Sequence, residues 1–81
     1  MTVIQRIKTA KIKILGREHF PIHCHVETIE VKAVVDLNTF EITAGDIPVA
    51  LKKEILDWIK ANRAMLIEQW NLHNPNTSYK E

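Results

Sequence analysis

The sequence predicts an α+β domain: a small antiparallel sheet of three to four strands packed on one long C-terminal amphipathic helix. Three observations predict it. Short runs of strict apolar–polar alternation fill the first half of the chain, as half-buried strands require. From Leu51 the apolar period changes to that of a helix. The length of 81 residues suits one domain with a thin core. We expect that domain over residues 1–73, with a loop-like, mobile tail over residues 74–81.

Lys11-Ile12-Lys13-Ile14 alternates, and Ile4, Arg6, Lys8 and Ala10 suggest an earlier or continuous strand. Gly16 breaks the pattern, and Pro21, which has no N–H to give a ladder, marks a loop. In Ile22-His23-Cys24-His25-Val26-Glu27, alternation puts Ile22, Cys24 and Val26 on one face and His23, His25 and Glu27 on the other. Val31, Ala33, Val35 and Leu37 form the inward set of a third strand, and Phe40-Glu41-Ile42-Thr43 a short fourth one ended by Ala44-Gly45. Asn38-Thr39 suits a tight turn. Asp46 is expected to cap the helix, with Pro48 in its first turn. At the helical period, Leu51, Ile55, Trp58, Ile59, Asn62, Met65, Leu66, Trp70 and Leu72 share one arc of roughly 160°. The helix is therefore expected to reach Leu72 and stop before Pro75. Asn62 is a polar residue in the apolar arc, and Ile67 an apolar one on the polar side.

Composition narrows the class. The chain is 46% apolar and 26% charged, a globular balance rather than a disordered one. No run is long enough to span a membrane, and the first residues lack a secretory layout. The single cysteine, Cys24, allows no internal disulfide, and together these features point to the cytoplasm. The net charge of +1 hides an uneven layout: residues 1–17 hold five bases and no acid, whereas residues 18–51 hold six acids and one base. Basic and acidic strands lying side by side as cross-strand pairs would account for it; a field that steers partners is the alternative. There is no glycine-rich phosphate loop. The only serine, Ser78, lies in the tail, and Cys24 is directed toward the core.

The chemistry-bearing region is Glu18-His19-Phe20-Pro21-Ile22-His23-Cys24-His25. His23 and His25 should project from the same strand face. One reading is a metal site, with His19, His23 and His25 as ligands of zinc or a similar divalent ion, or with Glu18 or Glu27 in third place. A second is acid–base catalysis by His23 and His25, as in cleavage of an RNA phosphodiester with a basic strand nearby. The third is structural or surface use, with the imidazoles paired to Glu18 and Glu27 or facing a protein partner.

The residues Glu18, His19, Pro21, His23, His25 and Val26 resemble the Glu-His-x-Pro-Pro-His-x-His-Val motif of the bacterial domain of unknown function 4160 family. In the helix, Leu51, Trp58, Asn62, Arg63, Leu66, Trp70 and Asn71 follow its second pattern. Ile22 stands where the family has a second proline, and Glu27-Thr28-Ile29-Glu30 replaces its glycine-rich turn. The resemblance implies a small cytoplasmic protein encoded beside a second small gene in a toxin–antitoxin-like arrangement. It thus implies a protein partner, with nucleic acid a further candidate. The expected function is an interaction protein of such a module, acting through the histidine-bearing loop and strand. The rivals are a small metal- or histidine-dependent ribonuclease using His19, His23 and His25, and a structural homodimer without chemistry.

Overall fold

The computed structural model describes residues 2–16 and 18–79. Arg17, one of the five bases of the N-terminal stretch, and the last two residues of the expected tail lie outside them. The class is α+β, but the sheet has five strands and the helical region two helices. The strands are β1 (Thr2–Ile7), β2 (Ala10–Ile14), β3 (His23–Glu27), β4 (Lys32–Asp36) and β5 (Ile42–Gly45), in an antiparallel meander of order β1-β2-β3-β4-β5. The helices are α1 (Val49–Ala61) and α2 (Arg63–His73).

The additional strand arises because Ile4 to Ala10 is not continuous. Lys8 takes a left-handed φ of 53° and turns the chain, so that Ile7 pairs with Ala10. The β3–β4 connection has no glycine, and the Thr28 hydroxyl takes over its task. Thr28 Oγ1 accepts from the Val31 N–H at 3.0 Å and donates to the Val31 carbonyl at 3.2 Å, closing the turn locally. The last strand starts at Ile42 rather than Phe40, which has a φ of 61°. Gly45 belongs to that strand instead of ending it. At its φ of 69° a Cβ would lie 1.8 Å from the Lys32 carbonyl oxygen, so only glycine lets β5 approach β4 there.

The strand alternation holds. Ile12, Cys24, Val26, Ala33 and Val35 are buried against Leu51, Ile55 and Ile59 of α1 and Leu66 and Trp70 of α2. The charge layout is partly resolved by cross-strand pairing: Lys13 Nζ lies 3.2 Å from Glu27 Oε1 between β2 and β3.

The single long helix is corrected at Asn62. That residue leaves helical geometry at φ −117°, ψ 21°. Its side-chain amide donates to the Trp58 carbonyl at 2.8 Å, and its backbone N–H to the Trp58 and Ile59 carbonyls at 3.0 and 3.2 Å. The polar residue in the apolar arc is therefore satisfied, and it breaks the helix because its amide competes for carbonyls of the preceding turn. The break also resets the helical phase. Ile67, expected on the polar side, is 8% exposed, whereas Leu72, expected in the apolar arc, is 72% exposed. The expected cap is corrected too. Pro48 occupies the N-cap of α1, while Asp46 accepts from its neighbour's N–H (Ile47, 2.8 Å) and pairs with Lys52 at 3.5 Å. No helix among the described residues is long and apolar enough to cross a membrane.

Candidate functional site

The site lies where β2 hands the chain to β3. Because strand side chains alternate, His23 and His25 emerge on the face opposite Cys24, with ring centroids 5.1 Å apart. The loop from Leu15 to Ile22 brings a third group to them. Glu18 Oε1 lies 3.1 Å from His25 Nε2, and Glu18 Oε2 lies 3.6 Å from His23 Nε2. One donor atom from each of the three residues falls within 4.8 Å of the others, and all three side chains are half-buried.

Each member is held from behind. His23 Nδ1 sits 2.8 Å from the Pro21 carbonyl oxygen, and the wholly buried Trp70 ring meets His23 edge-on at 5.0 Å. The backbone of Glu18 is clasped by the C-terminal segment. Its N–H donates to Asn74 Oδ1 at 2.6 Å, and its carbonyl accepts from the Thr77 hydroxyl at 2.9 Å. Asn74, only 2% exposed, also donates to the Leu15 and Trp70 carbonyls at 2.9 and 3.1 Å. Trp70 Nε1 in turn donates to the Thr77 carbonyl at 2.8 Å, within the short 3-10 turn at Pro75–Thr77.

The other polar residues of the helix motif singled out in the sequence fasten neighbouring segments rather than the cluster itself. Arg63 Nε donates to the Leu37 carbonyl at 2.7 Å, and Arg63 Nη2 donates to Asn38 Oδ1 at 2.8 Å. Asn71 exchanges two hydrogen bonds with the Tyr79 backbone, at 2.6 and 3.0 Å. Asn62 supplies the bend between the two helices.

Electrostatics follow from burial. Desolvation pulls the His25 imidazole below its ordinary pKa, while its hydrogen bond to Glu18 pushes the other way and the neighbouring His23 adds to the lowering. Cys24 is fully buried, and desolvation pushes its thiol up to about 12, which leaves it a poor nucleophile. Lys13, the cross-strand partner of His25 in the ladder, is committed to Glu27.

Of the three residues expected to form a metal set, the structure brings together His23 and His25 and puts Glu18 in third place. His19 is exposed. It lines, with Glu18, His73, Asn74 and Thr77, a cleft of about 380 Å³ beside the cluster. As an acid–base pair the two histidines are unusually placed. Both Nε2 atoms face one carboxylate, whereas phosphodiester cleavage needs two nitrogens free to bracket a phosphate.

A model of the family described as Domain of unknown function (DUF4160) matches residues 10–71. The chain belongs to the DUF4160 family. The matched span contains Glu18, His23 and His25 together with Asn62, Arg63 and Trp70, so the family pattern covers the cluster and much of the packing behind it. No curated protein and no solved structure matches the chain.

Asn74 and Thr77 escaped the sequence reading, which placed them in a mobile tail. The available signal was local. An asparagine just after a helix and before a proline is positioned to satisfy the last carbonyls of that helix.

Proposed function

We propose that this DUF4160 chain is a small cytoplasmic interaction protein of toxin–antitoxin type, which engages the product of a neighbouring gene through the loop and strand carrying Glu18, His23 and His25. The observation that carries the reading is Phe20. It is 54% exposed on a loop fixed at Glu18 and Ile22, and exposed His19 and Pro21 flank it. An aromatic side chain held out by a tethered loop, with charged and hydrogen-bonding groups at its foot, has the make-up of an interface anchor. The loop needs little ordering on binding. The bonds of Asn74 and Thr77 to Glu18 already hold its base, which lowers the entropic cost of association. The ribonuclease alternative has less behind it, because both imidazoles are turned onto Glu18.

The reading is tested by co-expressing the chain with its neighbour's product and recovering the complex through a tag on that product. Phe20→Ser should weaken capture by at least about tenfold, the loss of one anchor of roughly 1.4 kcal/mol or more. Co-expression should also change growth relative to either protein alone. Absence of a complex, or a complex that Phe20→Ser leaves intact, overturns the proposal. Self-association in its place would point to a homodimer.

A further inference from the structure

We infer that Glu18, His23 and His25 form a binding site for a divalent transition ion of the zinc type. The inference stands independently of the partner proposed above. Three observations carry it.

The first is spacing. Around a four-coordinate zinc, with bonds of about 2.0–2.2 Å to imidazole nitrogen and carboxylate oxygen, neighbouring donors lie roughly 3.4 Å apart. Glu18 Oε1 lies 3.1 Å from His25 Nε2 and Glu18 Oε2 3.6 Å from His23 Nε2, on either side of that value, and one donor from each residue lies within 4.8 Å of the others. Small rotations of the imidazoles would complete the set.

The second is the tautomer of His23. A backbone carbonyl only accepts, so the 2.8 Å contact to Pro21 places the proton of the neutral ring on Nδ1. Its Nε2 then presents a lone pair, and that lone pair faces Glu18 Oε2, a second acceptor. Two acceptors 3.6 Å apart are stabilised by a cation shared between them, whether a metal ion or the second proton of an imidazolium. A carbonyl bonded to the distal ring nitrogen is also how proteins orient metal-binding histidines.

The third is rigidity. Trp70 packs on His23, and Asn74 and Thr77 fix the backbone that carries Glu18. A donor set of two imidazoles and one carboxylate suits zinc and its neighbours, and it leaves a fourth position for water or for a side chain of a partner. On binding, His25 takes the tautomer with its proton on Nδ1, so that Nε2 turns its lone pair from the Glu18 contact to the ion without net loss of a proton. His19 is not a ligand.

The test uses the full-length chain without an affinity tag, stripped by chelator and titrated with Zn²⁺ against a chromophoric competitor. Binding of one ion per chain is expected. Glu18→Gln and His25→Gln should each weaken binding at least about tenfold, with far-ultraviolet circular dichroism reporting that they fold. His19→Ala should bind as the parent does. His23→Gln disturbs the Trp70 packing, so the parent itself supplies the second measurement. On Zn²⁺ addition the Nε2 nitrogen resonances of His23 and His25 should shift, and those of His19 and His73 should stay. Failure to bind one ion per chain overturns the site. So do affinity that survives Glu18→Gln but falls with His19→Ala, and nitrogen shifts confined to other histidines.

Discussion

The two ends of the sheet are built differently. At one end lie the Lys8-Thr9 turn, the Thr28–Val31 turn and the start of α1. The turns there close on themselves, through Thr28 and Val31 or through the left-handed Lys8, with Ile29 91% and Val49 85% exposed. Exposed apolar side chains are common to both ends, since Phe20 and Leu72 stand out at the other, so the difference lies in the closures. At the other end lie the Glu18 loop, the Leu37–Phe40 turn and the C-terminal half of α2. There, side chains hold backbone from far along the chain. Arg63 reaches Leu37, and Asn74 and Thr77 reach Leu15 and Glu18 across 56 to 59 residues. The half-buried imidazole–carboxylate cluster sits at that second end. Local closure is sufficient for a turn. Aiming three polar side chains at one point needs support from distant residues, because each must keep its rotamer while partly out of water.

The most damaging substitution should be Trp70→Ala. It opens a large cavity beside His23 and should cost about 3–5 kcal/mol in urea unfolding. A cost no greater than that of a surface change would break the contrast between the ends. Asn74→Ala should cost about 1–3 kcal/mol by stranding the Leu15 carbonyl and the Glu18 N–H. It should also loosen Glu18, seen as a change in the His25 ring resonances. Unaltered His25 resonances in a destabilised variant would mean that the clasp serves folding alone.

Acid should reveal a third effect. The Lys13 ammonium donates to Glu27 and holds its carboxyl below its ordinary value of 4.5. The folded state thus binds fewer protons than the unfolded one at moderately acidic pH. Stability from this pair is present above the ordinary value and is lost as the pH falls through the lowered one. Unfolding of Lys13→Met followed across that range should show a shallower pH dependence than the parent, and an identical slope would remove the pair from the account. The smallest effect is expected at the other end. Ile29→Ser and Val49→Ser should each stay within about 0.5 kcal/mol of the parent, because exposed side chains lose little. A larger loss at either position would give that end a role in stability.

Much of the fold was legible because strand alternation is a local property. Ile22, Cys24 and Val26 point inward, and His23 and His25 share the other face, as their spacing requires. The fifth strand was obscured because Lys8 and Thr9 turn without glycine or proline, and a lysine at positive φ gives no compositional warning. The two-helix geometry was hidden by a periodicity computed as if the helix were straight. One asparagine resets the phase and exchanges the fates of Ile67 and Leu72. At the site, the histidine pair was readable from two positions on one strand. The choice of Glu18 over His19 was not, since it depends on how a loop is tied to Asn74, 56 residues away.

That tie has a practical consequence for anyone dividing the chain. The family match ends at residue 71, and the hydroxyl and amide that hold the glutamate in place come after it, at Thr77 and Asn74. A fragment trimmed to the matched span would retain both imidazoles and the four strands β2 to β5, but none of the fastening that points the acid at them. Small homologous fragments chosen by alignment boundaries alone would therefore keep the cluster's side chains and discard the grip.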